Sequence, residues 1–167
     1  MKIVAVIPAR MESSRFPGKP MADILGMPMI GHCYKRAELS DIIDLVYVAT
    51  CNKVIFDYIK SIGGNVVMTS NSHERACDRA AEAMLKIEYK HSIKIDILLM
   101  MQGDEPMVTP RIIQAALNPL INNKNINISN LYKEINTIEE FEDPNEVKVI
   151  LDNNGNALYF SREPIPS

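Results

Sequence analysis

The chain has 167 residues, 47% apolar and 23% charged, which suits one globular domain and excludes disorder, a state of low hydrophobicity and high net charge. A net charge of −3 gives no global attraction to nucleic acid or an anionic membrane. No stretch approaches the ~18 apolar residues of a membrane helix, the apolar run after Lys2 is too short for a secretory leader, and Cys33, Cys51 and Cys77 form no CxxC pair, so a soluble cytoplasmic protein with free buried thiols is expected.

Lys2–Ala9 is a continuous apolar run with β-branched Val4 and Val6, the pattern of a central parallel strand buried on both faces. Arg10–Pro20 is polar and turn-rich. Residues 28–39 read as a helix with Met29, Ile30, Cys33 and Ala37 on one face. Leu45–Thr50 reads as a second strand and Lys53–Ile62 as an amphipathic helix stopped by Gly63-Gly64. Asn65–Thr69 is a third strand, followed by a helix over about 73–88 with Ala76, Ala80, Ala83, Met84 and Ile87 inward. Ile95–Met101 is a fourth strand, apolar throughout. Thr109 can cap a helix whose first residue is Pro110. Beyond an Asn-rich loop, Ile128–Tyr132 reads as a strand and Thr137–Phe141 as a short helix. Val147–Leu151 and Ala157–Ser161 flank a turn at Asp152–Gly155 and read as a β-hairpin. Four strand–helix alternations predict right-handed βαβ units and a mostly parallel sheet covered on both faces. Ligands bind such sheets at the carboxyl ends of the strands, so the loops after the first, third and fourth strands are the places to look.

The first of these loops holds Arg10, Ser13, Ser14, Arg15, Gly18 and Lys19. Phosphates need cations and hydrogen-bond donors on a closely approaching backbone, so this segment reads as a phosphate loop; a solvated basic turn is the plain alternative. It is neither a Walker A loop nor GxGxxG. The fourth strand is followed by Gln102-Gly103-Asp104-Glu105-Pro106. A carboxylate there suits Mg²⁺, which usually takes one or two carboxylates plus substrate phosphates; Asp104, nearer the strand, is the candidate. The third loop, Thr69–Arg79, carries Ser70, Ser72, His73, Arg75 and Arg79 and could line a base pocket, although Asp78 and Glu82 could simply pair with the arginines. His32 and His91 have no role assigned.

IPARMESSRFPGKP, QGDEP and FEDPNEVKVILDNNGNALYFSREPIP together resemble the 3-deoxy-D-manno-octulosonate (Kdo) cytidylyltransferases, the CMP-Kdo synthetases, from Ile7 to Pro166. The related CMP-sialic acid synthetases share the PAR start and lack QGDEP and the ALYFSR stretch. The resemblance implies a Rossmann-like three-layer α/β fold of the nucleotide-diphospho-sugar transferase type over residues 1–167 as a single domain. It implies the Mg²⁺-dependent reaction of CTP with Kdo to give CMP-Kdo and pyrophosphate, for lipopolysaccharide or capsule precursors. By matching motif, Arg10, Ser13, Arg15 and Lys19 correspond to the triphosphate loop, with Arg10, Lys19 and Asp104 as the catalytic set. Gln102 corresponds to a nucleotide and substrate contact, Asp104 to the metal ligand, Arg79 to a nucleotide contact, and Arg162 to a sugar-acid contact, where a guanidinium suits a carboxylate.

Two departures stand out. Where the family has SGT, a further residue and Arg, this chain reads Arg75-Ala76-Cys77-Asp78-Arg79, so base selection there is open. Family chains also continue well past the PIP segment, where dimer contacts, sugar contacts and a second metal-binding Asp lie, so this chain reads as lacking the family's C-terminal part. The alternatives are a cytidylyltransferase for another sugar acid, amino-Kdo or sialic-acid-like, and a catalytically weak nucleotide-binding fragment. The apolar residues of the 147–161 hairpin point to a homodimer through that region or to an uncovered apolar patch on it.

Overall fold

A computed structural model describes residues 1–12 and 16–165; Ser13 and Arg15 lie outside them. The chain divides into two compact units, Met1–Ser129 and Asn130–Ser167.

In the first unit every residue of strand β1, Ile3–Ala9, is buried. It lies inside a parallel sheet with β4 (Leu45–Thr50), β5 (Val66–Met68) and β6 (Ile97–Met100) in the spatial order β5-β4-β1-β6. β1 pairs with β4 on one side, Val4 opposite Leu45, and with β6 on the other, Ile3 opposite Ile97. Because side chains alternate along a strand, β1 feeds two cores. Ile3, Ala5, Ile7 and Ala9 pack with helices α1 (Met29–Glu38), α2 (Lys53–Ser61) and α4 (Pro110–Asn122) through Ile30, Tyr34, Ile55, Ile59, Ile113 and Leu117. Val4 and Val6 pack with Tyr47 and with Ala80, Ala83 and Ile87 of α3 (Ala76–His91). The expected three layers follow directly. The chain runs outward from β1 through β4 to β5, then returns to place β6 on the opposite side of β1. That reversal opens a crevice at the carboxyl ends of β1 and β6.

Several local expectations change. A short hairpin, β2 (Asp23–Ile24) with β3 (Met27–Pro28), interrupts the segment before α1. Its turn uses Leu25 at φ 53° and Gly26 at φ 85°. Helix α3 starts at Ala76 rather than 73, with His73 held in the loop by contacts described below. Ala76 and Met84 are only half-buried, while Arg79 is buried. Ile128–Tyr132 forms no strand: alternation of side chains makes a strand only when a neighbour pairs with it. The capping expectation for α4 holds, the Thr109 hydroxyl accepting from the Ile112 N–H at 3.4 Å. Of the three free cysteines only Cys33 is buried, Cys51 being half-buried and Cys77 exposed. Burial pushes the Cys33 thiol up to about 11.

The second unit contains the short helix α5 (Ile138–Glu142), capped by Thr137, and the antiparallel hairpin β7 (Lys148–Leu151) and β8 (Ala157–Ser161). Gly155 at φ 79° closes its turn, and the Asp152 carboxylate accepts from the N–H groups of Asn154 and Asn156. The buried Lys148 ammonium donates to the carbonyls of Glu146 and Arg162 at 3.0 and 2.9 Å, which ties the hairpin to the loop before it. Leu158, Tyr159 and Phe160 stay exposed, the uncovered apolar surface expected of this hairpin. Among the described residues no helix is long and apolar enough to cross a membrane.

Candidate functional site

A cleft of about 800 Å³ opens at the carboxyl ends of the sheet in the first unit. Its walls are the three anticipated loops: residues after β1 (Arg10, Glu12, Lys19), residues after β5 leading into α3 (His73, Arg75, Arg79), and residues after β6 (Gln102, Gly103, Asp104). The Lys19 ammonium donates to the Asp104 carboxylate at 2.7 Å, joining loops 85 residues apart in sequence. Gly103 permits this approach: a Cβ there would lie 2.9 Å from the Pro8 carbonyl oxygen, closer than packing tolerates. Gly18, at φ 76°, returns the first loop toward the sheet, its N–H donating to the Met11 carbonyl at 2.9 Å. A side chain with a Cβ rarely adopts that backbone conformation.

The cleft suits polyanions. Arg10, Lys19, Arg75 and Arg79 face three carboxylates, Glu12, Glu74 and Asp104. The N-terminus of α3 also opens into it at Ala76, adding the partial positive charge of unpaired N–H groups.

Arg79 differs from the other cations because it is only 2% exposed. Its guanidinium donates to the Thr69 hydroxyl at 2.5 Å and to the carbonyls of Ser70 and His73 at 3.1 and 3.4 Å. It therefore braces the loop after β5, and neither Asp78 nor Glu82 pairs with it as the helical spacing suggested. Glu82 turns instead to Lys86, to the Ser70 N–H and to the His73 ring, at 2.6, 2.8 and 2.5 Å. Lys86 foremost, with the Ser70 N–H and His73, pulls its carboxyl down to about 2, and burial opposes them. His73 is thus anchored by Glu82, and its carbonyl also accepts from Arg10 at 3.5 Å. Gln102 is exposed on the cleft wall. Arg162 belongs to the second unit, where it donates to the carbonyls of Pro144 and Asn145 at 3.0 and 3.4 Å.

Sequence reasoning passed over Glu12, Asn52 and the loop-bracing role of Glu82, which it read as a partner of the arginines. The last two act on the loops from 40 and 12 residues away, and no local spacing signals that. The one available pointer is that Asn52 follows a core strand.

Among the described residues no three or more His, Cys, Asp or Glu side chains gather as a metal cage. The Asp104 carboxylate, just after the end of β6, fits Mg²⁺ that draws its remaining ligands from phosphates and water. It does not fit a cation held by protein alone.

Comparison with known proteins shows the family. The cytidylyltransferase family profile matches residues 4–167. The chain is 43% identical over 166 residues to the 3-deoxy-manno-octulosonate cytidylyltransferase of Trichlorobacter lovleyi, covering 99% of this chain and 64% of that protein. It is 45% identical over 166 residues to the enzyme of the same name from Syntrophotalea carbinolica, with the same coverage. Among solved structures, a CMP:2-keto-3-deoxy-manno-octonic acid synthetase complexed with CTP superposes with a TM-score of 0.85 at 38% identity, covering 100% of this chain and 66% of that one. A cytidylyltransferase from Leptospira borgpetersenii gives 0.62 at 25% identity, over 75% and 52% of the two chains. The chain therefore spans about 64% of the length of the first curated relative.

Proposed function

The chain belongs to the cytidylyltransferase family, and from that premise we propose that it transfers CMP from CTP to the sugar acid Kdo and releases pyrophosphate, in a cytoplasmic step toward lipopolysaccharide or capsule. The observation that carries this reading is the Lys19–Asp104 contact: it joins a phosphate-type loop and a metal-type carboxylate at the switch point of a parallel sheet, with Arg10 and Arg75 in the same cleft. The names of the relatives support the choice of CTP and Kdo.

In the reaction a sugar hydroxyl oxygen forms a bond to the α-phosphorus of CTP. The bond from that phosphorus to the bridging oxygen breaks, and pyrophosphate leaves with the electron pair. Negative charge grows on the leaving group, so the work of the protein is positioning and cationic stabilisation. Lys19 and Arg10, which line the cleft, would neutralise the β- and γ-phosphates. The N-terminus of α3 and Arg75 add positive potential on the opposite wall. Asp104, with Gln102 beside it, would hold Mg²⁺; when bound, the ion polarises the α-phosphate and lowers the pKa of the attacking hydroxyl. Arg79 and Glu82 hold the third wall still. Arg162 is the candidate partner of the sugar carboxylate, on the motif match alone. Three free cysteines suit a reducing compartment.

A second reading, a nucleotide-binding protein with weak turnover, is favoured by the Arg75-Ala76-Cys77-Asp78-Arg79 segment, which departs from the family pattern on one wall of the cleft. Pyrophosphate release by this chain with Mg²⁺, each nucleoside triphosphate in turn, and Kdo, amino-Kdo or a sialic acid separates the readings. Release specific to CTP and Kdo supports the proposal. CTP binding by calorimetry without release supports the second reading, and neither binding nor release refutes both.

A further inference from the structure

Asn52 follows β4 and occupies the N-cap position of α2. An asparagine there ordinarily accepts from an N–H of its own helix, which is worth about 1 kcal/mol. This one does not. Its Oδ1 accepts from the Met11 N–H at 3.0 Å, and its Nδ2 donates to the Glu12 carboxylate at 3.1 Å. The residue is itself firmly held. Its N–H donates to the fully buried Thr50 hydroxyl at 3.1 Å, and its carbonyl accepts from Phe56 in α2.

Met11 is thereby committed at both peptide groups, its N–H to Asn52 and its carbonyl to Gly18. Through Met11 these bonds tie the residues beside Arg10 to Gly18, which precedes Lys19. The Glu12 carboxyl lies below the usual carboxylate range, first through its own backbone N–H and then through the Asn52 amide, with Arg10 and Arg79 contributing. The acceptor that Asn52 grips is therefore ionised at neutral pH.

We propose that Asn52 is a positioning residue for the nucleotide: its amide clamps Met11 and Glu12, and so sets where the loop presents Arg10 and Lys19. The role as nucleotide loop rests on the function proposed above, whereas the clamp itself does not. The amide orientation is what matters. An aspartate at 52 keeps an acceptor for Met11 but turns a second carboxylate toward Glu12. Pairing that aspartate with a glutamine at 12 restores one donor and one acceptor with their roles exchanged.

The test compares the full chain with Asn52→Leu, Asn52→Asp, Glu12→Gln and the double variant Asn52→Asp with Glu12→Gln. Hydrogen exchange is read at Met11 and Gly18, whose N–H groups are bonded here, and affinity for CTP with Mg²⁺ is read by calorimetry. One hydrogen bond corresponds to about tenfold in an equilibrium. Asn52→Leu and Asn52→Asp are expected to speed exchange in the loop and weaken CTP by about that factor. The double variant should return to the level of Glu12→Gln alone. Unchanged exchange in Asn52→Leu, or a double variant no better than Asn52→Asp, overturns the clamp. If Asn52→Leu fails to fold, the comparison of Asn52→Asp with the double variant decides. If the unaltered chain binds no CTP, the nucleotide reading falls while loop exchange still decides the clamp.

Discussion

The Lys19–Asp104 pair has side chains 35% and 45% exposed. An ion pair that open is worth about 0–1 kcal/mol to stability, so the contact serves the cleft rather than the fold. Asp104→Asn should therefore shift the melting temperature by less than about 4 °C while reducing Mg²⁺-dependent pyrophosphate release by roughly 100-fold or more. Near-normal release would remove Asp104 from the metal role. Glu82 is the opposite case, a carboxylate spent on structure. Its pKa falls from 4.5 to about 2 on folding, so the unfolded chain takes up its proton first as pH drops. Its stabilisation is complete above pH 4.5 and is lost as pH falls toward about 2. Acid titration of stability should thus show a smaller loss across that window in Glu82→Gln than in the unaltered chain. Equal slopes would mean that Lys86, Ser70 and His73 do not hold the charged form.

At the scale of elements, the hairpin β2–β3 is informative because the sequence hid it. Hairpin turns of type I′ need positive φ at both central positions and favour Asn-Gly; here the pair is Leu25-Gly26. Leucine in the left-handed region costs about 1–2 kcal/mol, and Leu25 is 99% exposed, so its side chain returns nothing through burial. Leu25→Asn should raise stability by about 1 kcal/mol, visible as a higher denaturant midpoint at unchanged slope. A lower midpoint would show that Leu25 has a contact in solution that outweighs the strain. The long elements were legible for the opposite reason. Leu45–Thr50 is a short, continuous apolar run rich in β-branched and aromatic residues and buried on both faces, whereas Lys53–Ser61 repeats its apolar residues at helical spacing, so length and pattern separate them.

Across the whole molecule, the buried residues of both apolar cores belong to the first unit, the last of them being Leu117. Residues 1–129 alone should therefore melt cooperatively, with a midpoint within a few degrees of the full chain, as followed by circular dichroism. A broad, uncooperative transition would show that the second unit completes the fold. The second unit instead leaves Leu158, Tyr159 and Phe160 more than half or half exposed, at 66%, 60% and 50%. Apolar surface of this kind favours association. Sedimentation at several concentrations should show self-association of the full chain that is absent from residues 1–129; a concentration-independent monomer would leave the patch without that role.

By itself the sequence determined the alternation of strands and helices, the double-sided burial of β1, and the placement of cations after the first strand and an acid after the fourth. Each is a short-range property, carried by side-chain period or by a few adjacent residues, and the PAR, QGDEP and FSREP motifs extended that reading to a family. The tertiary structure decided the rest. The order β5-β4-β1-β6 brings Lys19 to Asp104, and no spacing along the chain encodes a meeting across 85 residues. It also decided that Arg79 braces a loop from within, that Glu82 serves His73 rather than an arginine on its own helix, and that Asn52 gives up its helix to hold Met11. Polar side chains choose among partners by distance and burial in space, and those exist only once the sheet has brought the loops to one edge.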